Sequence, residues 1–226
     1  MKSGLMTAVA TALLLSGLVD SASAALVTVG TASYDPDGPG GNPPVGEYKL
    51  VWDDDNNGRS VVWLDYSHDA LPWNAQNAWA AALETALTYH LDGYRIDWTD
   101  PAWRLPVIGS ANYYTNIDSA EMNHLVIAEL GLWTNNVPAS ALNASEFFDH
   151  LVAASYWSST AGMYYNTQYN YAYPASTVAA LHGLAVRTGA VSPVPVPAAA
   201  WLLGSSLVGG LGFHIRRRVR RVAAAR

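Results

Sequence analysis

With 226 residues and no cysteine, the chain is excluded from thiol catalysis, thiolate zinc sites and iron–sulfur chemistry. It is 50% hydrophobic and 13% charged, and it favours aromatic rings with a polar handle, nine Trp and thirteen Tyr against three Phe. The net charge of −6 is unevenly placed: residues 25–192 hold five bases and 17 acids, 5 − 17 = −12, while six of the twelve Lys and Arg follow Ile215, so the body of the chain lacks the basic face that nucleic-acid binding needs.

Lys2 precedes the apolar run Leu5–Val19, and Ala22-Ser23-Ala24 has the small-x-small pattern of a signal-peptidase site. Residues 1–24 are expected to be an export signal cleaved after Ala24. An N-terminal membrane helix is the rival, for which the run is short.

YDPDGPGGNPPVG, Tyr34–Gly46, is too rich in Pro and Gly for helix or strand and predicts a loop. Glu47–Trp52 and Ser60–Tyr66 are β-rich and flank DDDNNGR, whose Asn57-Gly58 predicts a hairpin turn. The same turn begins like a calcium loop, since Asp53, Asp55, Asn57 and Gly58 fit D-x-[DN]-x-[DN]-G. Leu64 stands at position twelve, where a bidentate carboxylate belongs. A solvated turn is therefore expected, with Ca2+ as the alternative and no other cofactor implied.

Pro72–His90 places Trp79, Leu83, Leu87 and His90 at helical spacing and predicts the longest helix, stopped by Asp92-Gly93. A second helix is predicted from Asp118 or Ser119 to Gly131, with Glu121 placed for a capping box and Met122, Leu125 and Val126 as its apolar stripe. Its Glu121-x-x-His124 has the spacing of one half of a di-iron ligand set, but the second half is missing. A cap for Glu121 and a local hydrogen bond for His124 are the expected roles. A short helical piece over Asn143–Leu151 and short strands at Trp103–Val107, Tyr156–Thr160, within Met163–Tyr173 and at Leu181–Thr188 complete an α+β domain over residues 25–191.

Arg104 and Arg187 have apolar neighbours in sequence, including Trp103 beside Arg104, and are expected to pair within the fold. A clamp for an anionic ligand is the alternative. Ser158, Ser159 and Thr160 follow Trp157 without the framing of a nucleophile elbow, so the domain reads as non-enzymatic. In YYNTQYNYAY, Tyr164–Tyr173, tyrosines alternate with amides, a mixture suited to stacking on sugar rings while bonding hydroxyls. As one extended strand, Tyr164, Asn166, Gln168 and Asn170 would share a solvent-facing polar face that carries binding, opposite Tyr165, Thr167, Tyr169 and Tyr171. Simple strand pairing is the rival use of these residues.

Pro193, Pro195 and Pro197 predict an extended stalk over residues 192–197. Ala198–Ile215 follows, eighteen residues without Lys, Arg, Asp or Glu, at the short end of the ~20 that a membrane-spanning helix needs. Arg216, Arg217, Arg218, Arg220 and Arg221 would then mark residues 216–226 as a cytoplasmic tail, a nucleic-acid-binding tail being the rival.

VPVPAAAWLLGSSLVGGLGFHIRRRVRR, Val194–Arg221, resembles the PEP-CTERM sorting signal of Gram-negative bacteria, with Pro195-Val196-Pro197 where that family often has Pro-Glu-Pro. The resemblance implies recognition by an exosortase, cleavage near Pro197, and delivery to the cell surface or an exopolysaccharide matrix. The preceding chain resembles the Lcl C-terminal-like domain, related in fold to C-type lectins and formylglycine-generating enzymes. That likeness rests on Trp63-Leu64-Asp65, WNAQNAWAAAL from Trp73, WRLP from Trp103, SAEMNHLVIAELG from Ser119, YWSST from Tyr156 and LAVRTGAV from Leu184. It implies a C-type-lectin-like single domain with two main helices and short antiparallel strands. The oxidase activity of the formylglycine-generating relatives is excluded, because it requires cysteine. The expected protein is an exported, exosortase-sorted surface or matrix component that binds exopolysaccharide. A purely structural matrix role and a polysaccharide hydrolase are the alternatives.

Overall fold

The computed structural model describes residues 26–35, 46–108, 120–134 and 136–195. Nine strands run β1 (Leu26–Tyr34), β2 (Gly46–Asp53), β3 (Val61–Leu71), β4 (Leu87–Leu91), β5 (Tyr94–Trp98), β6 (Ser155–Trp157), β7 (Met163–Asn166), β8 (Tyr171–Pro174) and β9 (Leu181–Pro193). Helices are α1 (Trp73–Ala86), α2 (Glu121–Asn123), which runs on into a π-helical turn over His124–Glu129, and α3 (Ala139–Leu142). The strands form one sheet in the order β4-β1-β2-β3-β9-β6-β7-β8, and β5 pairs with the far end of β9. All pairings are antiparallel except β6 with β9.

Strand accounts for 43% and helix for 18%, which overturns the expected C-type-lectin-like α+β domain with two main helices. Among the described residues, only α1 is a helix of ordinary length. The predicted first helix stops at Ala86, and Leu87–Leu91 becomes β4, paired with Gly30–Tyr34 of β1. Thr88 and Tyr89 suit a pleated edge, and a partner strand supplies ladder bonds that a last helical turn in solvent would not. Gly30 makes that pairing close: a Cβ there would lie 2.2 Å from the His90 carbonyl oxygen. The predicted second helix keeps one α-turn before its backbone widens. The predicted strand at Trp103–Val107 is reduced to one bridge, Arg104↔Val186, and the helical piece lies at Ala139–Leu142 instead of Asn143–Leu151.

The hairpin of β2 and β3 forms around the predicted turn, with Asn57 and Gly58 at φ 57° and 73°. Period-two alternation along β2, β3 and β9 then feeds two cores, one on each face. Val51, Val61, Trp63, Leu184 and Val186 pack with Leu125, Val126, Phe148 and Tyr165. Leu50, Val62, Leu64 and Ala185 pack with Trp79, Ala80 and Leu83 of α1 and with Trp103 and Trp157. Strands buried on both sides read as continuous apolar runs, which is why VVWL and LAV carry no polar alternation. Gln76 seats α1: its amide donates to the Asp69 and Leu181 carbonyls at 2.6 and 2.9 Å, and Gly183 leaves room for it.

β9 continues through Ser192 and Pro193, where an extended stalk was expected, and Pro195 is exposed just beyond it. The expected export signal, Val196, Pro197, the apolar run 198–215 and the arginine tail lie outside the described residues. Among the described residues, no helix is long and apolar enough to cross a membrane.

Candidate functional site

The tyrosine-rich segment is a hairpin, and that changes which side chains reach solvent. β7 and β8 pair from Met163↔Pro174 to Asn166↔Tyr171, so the chain reverses over residues 167–170. Thr167 is fully buried, its hydroxyl bonded to the Val152 and Ala154 carbonyls at 3.0 and 3.1 Å. The expected polar face of Asn166, Gln168 and Asn170 is thereby corrected. Asn166 is buried, donating to the Ser155 hydroxyl at 2.9 Å and accepting from the Tyr169 N–H at 2.9 Å. Asn170 is buried at φ 53°, donating to the Leu132 and Thr134 carbonyls at 2.5 and 3.0 Å and accepting from the Tyr165 hydroxyl at 3.1 Å. Gln168 donates to the Asn136 side chain at 3.1 Å, while its carbonyl accepts the N–H groups of Asn136 and Val137.

Rings occupy the outer side instead. Tyr169 and Tyr171 stack with planes 6° apart and centroids 6.0 Å apart. Tyr173 and Tyr164 meet Tyr171 edge-on at 5.3 and 6.4 Å. Tyr169 and Tyr173 are 41% and 40% exposed. The cluster presents contiguous apolar faces fringed by hydroxyls.

Both arginines are satisfied internally. Arg104 makes a bidentate pair with Glu121, both contacts 2.7 Å, and a third contact from Nε to Asp100 at 3.1 Å. Burial would lower its pKa, but Glu121 and Asp100 raise it above the ordinary arginine value. Glu121 also accepts the Val107 N–H at 2.7 Å, so its carboxylate faces Arg104 and Val107 and makes neither the expected capping box nor a ligand pair with His124. Arg187, 4% exposed, lies 4.5 Å from the centre of the Trp98 ring, pairs with Glu84 and donates to the Asp100 and Pro101 carbonyls at 3.1 Å. Trp103 and Trp157 are buried, their indole N–H groups bonded to the Tyr89 hydroxyl and the Leu71 carbonyl at 2.8 and 2.9 Å.

Asp53, Asp55 and Asn57 do not converge as a calcium loop. Asp55 is exposed and accepts the Gly58 N–H at 3.1 Å, which closes the turn, and Asn57 donates to Asn56 at 3.1 Å. Asp53 turns inward, 1% exposed, and its carboxylate meets His124 and Glu129. One ligand-capable atom from each of the three lies within 4.8 Å of the others. His124 Nε2 and Glu129 Oε1 are 3.1 Å apart. Burial pushes the carboxyls of Asp53 and Glu129 above the ordinary range, and the Asp53 charge pushes Glu129 further. Glu129 carries no sequence signal, because a spacing of five residues from His124 has no meaning in an α-helix.

A further cleft of 270 Å³ is lined by Tyr48, Tyr66, Ser67, Asn143, Asp149 and His150, among others. Beside it the fully buried Asp65 accepts the Asp149 and His150 N–H groups at 2.9 and 3.0 Å and contacts His150 Nδ1 at 3.1 Å. Burial raises the Asp65 pKa against these donors. Ser67 Oγ is 2.7 Å from the Tyr156 hydroxyl. Neither Asp65 nor His150 stood out in the sequence as a site residue, since 85 positions separate them. No protein-family model matches this chain, and no curated protein or solved structure matches it either.

Proposed function

We propose that this chain is an exported surface or matrix protein, sorted by an exosortase through its C-terminal signal, whose β-domain binds neutral glycan. The observation that carries the reading is the cluster of Tyr164, Tyr169, Tyr171 and Tyr173 on one hairpin, in which Tyr169 and Tyr173 are exposed and the other two half-buried. Rigid aromatic faces offer sugar rings apolar contact at low entropic cost, and the phenol groups offer hydrogen bonds. The −12 balance of residues 25–192 disfavours polyanions, because Arg104 and Arg187 are already paired. Tyr169→Ala combined with Tyr173→Ala is expected to weaken retention on a neutral matrix polysaccharide about tenfold, equivalent to ~1.4 kcal/mol, with an unchanged melting temperature. Equal retention by the double variant would leave a purely structural matrix role.

The sorting part of the reading has its own test. Intact-mass analysis of surface-released protein is expected to give a chain that begins at Ala25 and ends near Pro197. Recovery of a released form that still contains Arg216 would overturn it.

Hydrolysis is a second reading with one observation behind it: buried Asp65 holds the ring of His150 at the cleft that Ser67 also lines. Reducing-sugar release from the polysaccharide, lost in His150→Ala, would decide for it. The non-enzymatic reading is preferred because the exposed aromatic cluster needs no further group to bind.

A further inference from the structure

The end of β2 and the π-helical turn at His124–Glu129 enclose a cluster of three ligand-capable side chains. Asp53 and Glu129 bring two carboxyl groups to one buried place: Asp53 is 1% exposed and the Glu129 side chain 6%. Among the described residues no Lys or Arg pairs with either, and the side chain that meets both is the imidazole of His124.

The hydrogen bonds are incomplete in the same place. Oδ2 of Asp53 accepts from the Asn56 amide at 2.7 Å and faces the Trp63 indole N–H at 3.4 Å. Oδ1 is buried and has no hydrogen-bond partner among the described residues. A buried carboxylate oxygen left without a donor is costly unless something else meets it.

Backbone geometry points the same way. Around an α-helix, positions five apart sit about 140° from one another, so His124 and Glu129 would diverge. The widened turn, closed by the Leu130 N–H on the Leu125 carbonyl at 2.9 Å, brings them onto one side. Single π-turns inside helices occur often at functional sites.

We propose that Asp53, His124 and Glu129 bind one divalent transition-metal cation. Two carboxylates and an imidazole form an N/O donor set that suits Zn2+ or Mn2+ better than Ca2+, which prefers oxygen alone. Ligand atoms on a tetrahedral Zn2+ stand about 3.3 Å apart, given bonds of about 2.0–2.2 Å. His124 and Glu129, 3.1 Å apart, are already close to that separation, and Asp53 offers a ligand atom within 4.8 Å of both. Asn56 is the supporting residue: its amide holds the Asp53 carboxylate and also contacts the Glu121 carbonyl at 3.3 Å, tying the β2–β3 turn to the start of α2.

The test uses the full chain, purified in mild detergent, stripped with a chelator and dialysed against Zn2+, Mn2+ or Ca2+. One Zn2+ per chain is expected, together with a rise in melting temperature. Glu129→Gln and His124→Asn should each weaken Zn2+ binding about 100-fold or more, since even outer partners of metal ligands are worth 10–100-fold. Asp55→Asn, which alters only the exposed turn, should bind as the parent does. Circular dichroism establishes that each variant is folded. Should a ligand variant fail to fold, the parent decides alone by stoichiometry and by the Zn2+-dependent rise in melting temperature. The proposal is overturned if the folded parent takes up neither Zn2+ nor Mn2+ stoichiometrically, if both ligand variants retain the metal, or if Ca2+ displaces it at equal concentration.

Discussion

Arg104→Ala is expected to destabilise the domain by about 3 kcal/mol, the lower end of the ~3–5 kcal/mol that follows removal of one partner from a buried ion pair. The loss arises at Glu121. Its side chain is 3% exposed, and without the guanidinium the donor left to it among the described residues is the Val107 N–H. The lower end applies because a quarter of the Arg104 side chain reaches solvent. Asp100 loses a contact as well, but the Thr188 N–H at 3.2 Å still holds it. In a domain of this size the expected fall in melting temperature is about 6–12 °C. Arg104→Lys should recover only part of it, since an ammonium cannot reproduce the two parallel contacts of the fork. Replacing the pair together, Arg104→Met with Glu121→Leu, should cost less than Arg104→Ala alone, because no charge is then left buried. A melting temperature for Arg104→Ala equal to the parent's would show that Glu121 finds another partner and would return Arg104 to consideration as a ligand contact.

Asn170→Ala is expected to cost at least about 4 kcal/mol, and it carries the corrected view of the tyrosine hairpin. Three hydrogen bonds end on this one side chain, and the substitution leaves the Leu132 and Thr134 carbonyls and the buried Tyr165 hydroxyl unmatched, at about 1–3 kcal/mol each where no water reaches them. The backbone adds a further ~1–2 kcal/mol, because φ of 53° crowds any Cβ and asparagine tolerates it better than alanine. Asn170→Gly relieves the second contribution and keeps the first, so it should fall between parent and alanine variant. Gln168→Ala, at a half-buried position with one side-chain bond, should cost less than ~1 kcal/mol. Chemical denaturation of the four proteins checks the order. If Asn170→Ala were as stable as Gln168→Ala, the segment would be the single exposed strand that its alternation suggests.

Local chemistry made several features legible from residues alone. Asn57-Gly58 announced the β2–β3 hairpin because a turn with positive φ restricts which residues can occupy it. The start of α1 was readable from Trp79 and Leu83, since one buried stripe at helical spacing suffices to define a helix face. The density of Tyr and the lack of Cys were also plain, and they narrowed the chemistry before any fold was known. Other assignments depended on partners far away in the chain. Leu87–Leu91 became a strand because β1 lay beside it, and the helical spacing of Leu87 and His90 carried no information about that neighbour. Asn166 and Asn170 went inward because the chain reverses at residues 167–170, and an alternation that looks continuous in sequence changes sides at such a reversal. Asp53, His124 and Glu129 meet only because a β-turn abuts a helix whose backbone widens by one residue. Residue type and spacing encode contacts along one element, whereas this cluster is a contact between two elements, set by how both pack on the same sheet.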